Sequence, residues 1–193
     1  MLRRVYNWVI ELSEKKTAPY ALGAVSFAES SFFPIPPDVM LVPMCLAQPH
    51  KAWFYALVTT ITSVAGGLLG YAIGALLLDT VGQWIIGAYG YGDKLDTFQA
   101  AFAQYGAWII LIKGFLPIPF KLITIACGIA KYNLLLFVLL ATITRGGRFF
   151  LVAGLLRWKG EQAREFIERR LGLVTLIFGA TVVGGVLLVL YAF

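Results

Sequence analysis

Uncharged apolar runs alternate along the chain with short polar segments, and the length of each run decides what it can become. Residues 52–78 hold no charged side chain, and at ~1.5 Å per residue such a run crosses a hydrocarbon core of about 30 Å with some tilt. Residues 171–193 are likewise uncharged, and 132–156 carry only Arg145 and Arg148. These three runs are predicted transmembrane helices. Two further apolar regions are interrupted by proline. Within 17–48 the stretch Phe32-Phe33-Pro34-Ile35-Pro36-Pro37-Asp38 places three prolines in four residues, which a regular helix does not accommodate. The flanks Pro19 to Phe33 and Val39 to Gln48 would be about 22 Å and about 15 Å long, each too short to cross alone. The pattern predicts a re-entrant helical hairpin that enters and leaves on one side of the bilayer. Residues 105–130, broken at Pro117-Ile118-Pro119, are predicted to form a second.

The intervening segments read as surface helices. In 1–16, Leu2, Val5, Val9 and Leu12 recur at helical spacing, with Arg3, Arg4, Asn7, Glu11 and Glu14 elsewhere on the wheel, as in an interfacial helix. Residues 79–104, with Leu95, Phe98, Phe102 and Tyr105 at the same spacing, are predicted as an external amphipathic segment. Residues 157–170, which include the charge run Glu161 to Arg170, are predicted as a cytoplasmic helix.

The two proline breaks are related by an internal repeat. Pro34-Ile35-Pro36 and Pro117-Ile118-Pro119 lie 83 positions apart, an offset that also pairs Asp38 with Lys121 and Ala47 with Ala130; Thr60-Ile61-Thr62 and Thr142-Ile143-Thr144 lie 82 apart. Each half is then a broken hairpin followed by a spanning helix. Ten Lys and Arg fall in the N-terminal region, at Lys51 and between Arg157 and Arg170, against only Lys94 and Lys131 in residues 79–104 and at the corner that follows the second hairpin. With both hairpins re-entrant, the rich segments all face the cytoplasm and the N-terminus is cytoplasmic. The halves are then inverted, the arrangement of transporters whose discontinuous helices meet at mid-membrane. Trp53, Trp108 and Trp158 fall at predicted span or hairpin ends, as in an interfacial belt. Gly66, Gly70 and Gly74 recur every four residues as a helix-packing face.

Composition narrows the class. Apolar residues make up 60% and charged residues 13%, with a mean hydropathy of +0.81, so a water-soluble enzyme, a disordered binder and a nucleic-acid module are excluded. The net charge of +6 comes from scattered residues rather than a basic stripe, and no nucleic-acid partner is expected. Cys45 and Cys127 lack metal-ligand spacing and read as small core residues. The charged N-terminus leaves no apolar run for a cleaved leader. His50 is the single histidine, and HExxH, GxSxG and P-loop motifs are absent, so neither an enzyme nor a metal or cofactor is expected.

The candidate chemistry lies in the charges within apolar segments, which are costly unless paired or hydrated. Glu29 and Asp38 flank the first break (Pro34, Pro36 and Pro37), and Lys113 and Lys121 flank the second (Pro117 and Pro119). Opposed in an inverted pair, the two carboxylates would face the two ammonium groups. Arg145 and Arg148, three apart on one helix face, line the same predicted cavity. Six groups then sum to +2, suited to an anionic head group whose phosphate oxygens match arginine's planar fork. The carboxylates can exchange partners or take up protons. The rival reading of the same charges is purely structural pairing.

Glu29, the Phe-Pro-x-Pro-Pro-Asp run from Phe33 to Asp38, the Gly67 to Gly74 segment, Phe115-Leu116-Pro117 and Gly128 together resemble the DedA family, also called the SNARE-associated or VTT-domain superfamily, over roughly residues 17–157. The likeness is to its small bacterial inner-membrane branch. It implies proton-motive-force-dependent movement of phospholipids or undecaprenyl phosphate between leaflets, in support of membrane homeostasis, and puts the family's acidic pair on Glu29 and Asp38. The family's arginines around the second break are matched less closely: Gly114 precedes Phe115, Phe120 takes the later position, and Lys113 and Lys121 are each displaced by one.

The expectation is an all-α integral membrane protein of the bacterial inner membrane, an inverted repeat of re-entrant hairpin plus transmembrane helix with a further C-terminal span and amphipathic surface helices. It would translocate an anionic phospholipid or polyprenyl phosphate, with Glu29 and Asp38 as proton-sensitive gates and Lys113, Lys121, Arg145 and Arg148 as head-group contacts. Its partners would be membrane lipids and protons, with a second copy of the chain on the glycine face left open. The alternatives are a proton-coupled carrier of a small soluble anion and a non-transporting assembly factor.

Overall fold

The computed structural model describes residues 17–33, 36–82, 88, 92–115 and 120–169. Among them every regular element is helical: α1 (Ala18–Ser31), α2 (Asp38–Ala47), α3 (Ala52–Leu77), α4 (Gly92–Phe115), α5 (Phe120–Ile129) and α6 (Leu134–Arg169). Two helical stretches are long and apolar enough to cross a membrane, Pro49–Thr80 with 32 residues and Leu134–Gly160 with 27. The predicted interfacial helix 1–16 and the predicted span 171–193 lie outside the described residues, as do Pro34, Pro117 and Pro119.

One element boundary differs from the sequence reading. The predicted division between the surface segment and the second hairpin, at 104/105, falls inside α4, a continuous helix of 24 residues. The only glycine near that point, Gly106, is tolerated within the helix because its open flank lies against the Tyr132 ring. Close to the predicted span end at 156, α6 is kinked at Lys159 (φ −116°, ψ 23°), and a further helical segment continues from there to Arg169.

The turn from α5 into α6 is built from local chemistry. Lys131 adopts φ 50°, while its N–H donates to the Gly128 carbonyl and that of Tyr132 to the Cys127 carbonyl, both at 3.0 Å. This pair of bonds closes a helix C-terminus around a left-handed residue. Asn133 then opens α6, its Oδ1 accepting from the Leu136 N–H at 3.0 Å, the standard satisfaction of a first-turn donor.

Packing is organised around α3 and α6, which lie against each other. Helix α3 takes α1 and α5; helix α6 takes α4 and α2. The glycine face of α3 is consumed inside the molecule: a Cβ on Gly66 would strike the Phe27 carbonyl of α1, and one on Gly74 the Ile125 carbonyl of α5. Backbones therefore touch, as in glycine-mediated membrane packing, and this face is not free for a second copy of the chain.

Polarity is distributed inside out. Ser26, Ser30, Ser31, Thr59, Thr60, Ser63, Thr124 and Thr144 are buried, while Phe54, Leu57, Ile61, Leu76, Leu135, Leu139, Ile143 and Leu155 are exposed along α3 and α6. Some inner hydroxyls satisfy backbone carbonyls of neighbouring helices, Ser26 donating to Thr59 at 2.8 Å and Ser31 to Gly66 at 2.9 Å, while Thr59, Thr60 and Thr144 donate within their own helices. An apolar exterior over a hydroxyl-lined interior is what a bilayer requires of a helical bundle.

Candidate functional site

Three helix ends converge on the middle of α6. Helix α1 stops at Ser31, where the N–H groups of Phe32 and Phe33 both donate to the Ala28 carbonyl. Pro36 and Pro37 lead into α2, and the Pro37 carbonyl accepts from Met40 and Leu41 at 3.0 and 2.9 Å. Pro37 sets the backbone for the first turn and lacks the N–H that would go unpaired there. Asp38, the first residue of α2, sits where its charge is favoured by the helix dipole. Helix α5 starts at Phe120 and meets α1 through Thr124 Oγ1, 3.2 Å from the Ser30 carbonyl. Lys121 Nζ lies 3.5 Å from the Phe32 carbonyl. The described flanks of the two breaks thus lie side by side.

The carboxylates are paired with arginines of α6. Arg145 Nη2 donates to Glu29 Oε2 at 2.7 Å, and Arg148 Nη2 donates to Asp38 Oδ2 at 2.8 Å. The i, i+3 spacing of the arginines lets one face of α6 bind the end of α1 and the start of α2 together. The first pair is sealed, its side chains 3% and 10% exposed; the second is more open, with Arg148 at 26% and Asp38 at 13%.

Around Arg145 the hydrogen bonds close into a ring. Its Nε donates to Ser63 Oγ at 2.7 Å, Ser63 and Ser30 hydroxyls are 2.7 Å apart, and Ser30 donates to Glu29 Oε2 at 3.3 Å. Because the Ser30 hydrogen is directed to the carboxylate, Ser63 is the donor between the serines. The guanidinium plane is covered by Phe120 at 4.8 Å and Phe149 at 4.7 Å to the ring centroids. Such cation–π contacts and charge-assisted bonds offset the cost of burying the ion.

The arrangement gathers Glu29, Asp38, Arg145 and Arg148 at one place, with Lys121 at the first break. Lys113 lies in the last turn of α4, and its side chain is outside the described residues. The partners differ from those the sequence suggested: the carboxylates meet arginines rather than the two lysines. An ion pair chosen by offset within a repeat neglects that α6 runs past both ends of the first break. Ser30, Ser63 and Phe149 escaped the sequence reading altogether, and Phe120 entered it only as the residue standing where the family's later arginine is expected. One signal existed, since Ser63 and Arg145 are 82 positions apart, the same offset as the two Thr-Ile-Thr tripeptides.

The family model for the VTT domain matches residues 18–157, from the first residue of α1 into the last turn of the Leu134–Gly160 stretch of α6. The chain belongs to the VTT-domain family. The match encloses every charged residue of this site. Among relatives of the VTT-domain chain, a protein of Haemophilus influenzae described as uncharacterized is 38% identical over 170 residues, 88% of each chain. A second uncharacterized protein, from Histophilus somni, is 35% identical over 158 residues, 82% of each. No solved structure matches. Family and apolar helices together make this a VTT-domain membrane protein.

Proposed function

We propose that this protein is a transporter of the bacterial inner membrane that moves an anionic phospholipid or polyprenyl phosphate between leaflets, with proton uptake and release at Glu29 and Asp38. The observation that carries the reading is the pair of carboxylate–guanidinium bonds held within the apolar bundle, where helix ends meet. Charges so placed are expensive and mark substrate or ion pathways. The proton coupling follows from their chemistry: a carboxylate that takes up a proton releases its arginine, and a head-group phosphate that binds the arginine releases the carboxylate.

Two features support re-entrant hairpins in an inverted repeat. Helices α1 and α2 have 14 and 10 residues, about 21 and about 15 Å, so each reaches only part-way through a bilayer core of about 30 Å. Each spanning helix also packs on the first arm of its own half and the second arm of the other, α3 on α1 and α5, α6 on α4 and α2. In such an exchange the repeat-equivalent residues Ser63 and Arg145 would touch near the pseudo-two-fold axis, and they hydrogen-bond. Exposed Trp53, Trp108 and Trp158 suit the interfacial belt, and the cytoplasmic N-terminus rests on the Lys and Arg asymmetry.

The test is transbilayer movement in proteoliposomes with an imposed proton gradient, using fluorescent phosphatidylglycerol and a fluorescent polyprenyl phosphate. Acceleration that is lost in Asp38→Asn supports the reading. Movement equal to protein-free vesicles for both lipids refutes it, and uptake of a soluble anion without lipid movement assigns the protein to the carrier class instead.

A further inference from the structure

The two arginines are not equivalent. Arg145 is 2% exposed, lies over the Phe120 and Phe149 rings, and binds Ser63 and Glu29. No phosphate can reach it without dismantling the ring. Arg148 is 26% exposed at its side chain, and among the described residues its one hydrogen bond is the single contact from Nη2 to Asp38 Oδ2. A guanidinium offers five N–H donors in a planar fork. The remaining donors of that fork make no hydrogen bond among the described residues, and among the same residues the Lys121 ammonium beside the first break has only the Phe32 carbonyl at 3.5 Å.

Resting on the transport reading above, we infer that the phosphate group of the substrate binds Arg148, and that Asp38 is an internal competitor that occupies part of the fork until the phosphate displaces it. This narrows the phosphate exchange described above to the second pair: the Glu29–Arg145 pair is closed to phosphate and ties α1 to α6. The carboxylate of Asp38 can leave at modest cost because its partner Arg148 is the more exposed arginine and because it sits at a helix N-terminus that continues to favour its charge. Among the described residues Glu29 has no such second anchor: its neighbours within the ring are Ser30 and Arg145. Bidentate phosphate recognition by the open fork is the interaction that a lysine cannot reproduce.

The experiment uses the full chain in phosphatidylcholine nanodiscs and titrates dihexanoyl phosphatidic acid, with dihexanoyl phosphatidylcholine as the control and inorganic phosphate as a separate arm. Binding of phosphatidic acid alone identifies the lipid head group as the ligand; binding of both identifies the phosphate group itself. Arg148→Lys is expected to weaken binding about tenfold or more, the loss of one charge-assisted bond. Asp38→Asn is expected to tighten it several-fold by removing the competitor. A merely structural pair predicts the reverse, because loosening α2 would weaken any site built on it. Arg148→Lys, which leaves Asp38 in place, decides the matter if Asp38→Asn does not fold. Unchanged affinity in Arg148→Lys, weaker binding in folded Asp38→Asn, or no binding of either phosphate ligand to the wild type overturns the inference. The transport reading fails separately: an inactive wild type in proteoliposomes whose phosphate binding still depends on Arg148 leaves this site standing, whereas Arg148→Lys moving lipid at the wild-type rate removes the site and leaves transport.

Discussion

Removing one charge of the sealed pair, by Glu29→Gln, leaves the Arg145 guanidinium inside the bundle with no counter-charge. The pair is 2.7 Å long and its side chains are 3% and 10% exposed, so water cannot substitute for the lost partner. Breaking a buried pair from one side costs about 3–5 kcal/mol, which for a chain of this size is a fall of roughly 6–20 °C in the melting midpoint. Arg145→Met should cost less, towards the lower end, because a lone carboxyl can neutralise itself by binding a proton whereas a guanidinium cannot release one. In the double variant neither charge remains, Ser63 and Ser30 still bond each other, and the methionine fills much of the space between Phe120 and Phe149. Its stability should return to within about 2 kcal/mol of wild type, so that the pair couples by about 4 kcal/mol or more. The assay is a thermal melt of the purified protein in one detergent, read as the monodisperse fraction by size-exclusion chromatography for wild type, both single variants and the double. Single effects that add to within about 0.5 kcal/mol would refute the reasoning, since independent sites add in that way.

Two other stability measurements probe the frame around the site. Gly66→Ala drives a methyl group into the Phe27 carbonyl and should cost about 1–3 kcal/mol, whereas Gly146→Ala, whose Cβ would rest 3.5 Å from Thr60 Cγ2, should gain up to about 1 kcal/mol of helix propensity; equal melts for the two would contradict the packing described. Asn133→Ala removes the first-turn acceptor of α6 and should lower stability by about 1 kcal/mol, with Asn133→Asp close to wild type in the same assay.

Helical character, the two breaks and the identity of the buried charges were all legible in the sequence, because each depends on a local property: run length, proline placement, or a charged residue among apolar ones. Glu29, Asp38, Arg145 and Arg148 were candidates on that ground alone. Their pairing was not legible. It depends on which helix passes which, and the long α6 reaches both Glu29 and Asp38 although more than a hundred residues separate each from its arginine. The carboxylate–ammonium pairing expected of opposed inverted hairpins competes with this geometry, and both carboxylates go to arginines instead. One helix limit failed for a related reason: a change from polar to apolar composition at 104/105 does not end a helix that contains no breaker, whereas the predicted limit at 156 lies three residues from the kink at Lys159. Serines 30 and 63 were invisible because a small hydroxyl carries no signal until a neighbouring helix presents it with a partner.

The inside-out placement of hydroxyls and leucines has a calorimetric meaning. In a water-soluble bundle, unfolding uncovers oily surface to solvent and the heat capacity rises steeply. Here the leucines of α3 and α6 already face the surroundings in the native state, so separating the helices within a lipid environment wets little new hydrocarbon. The free-energy curve against temperature should therefore be unusually flat, and cooling should neither strengthen nor undo the assembly in the manner familiar from globular proteins. Cohesion of this kind is set by backbone proximity and hydroxyl contacts, which vary weakly with temperature.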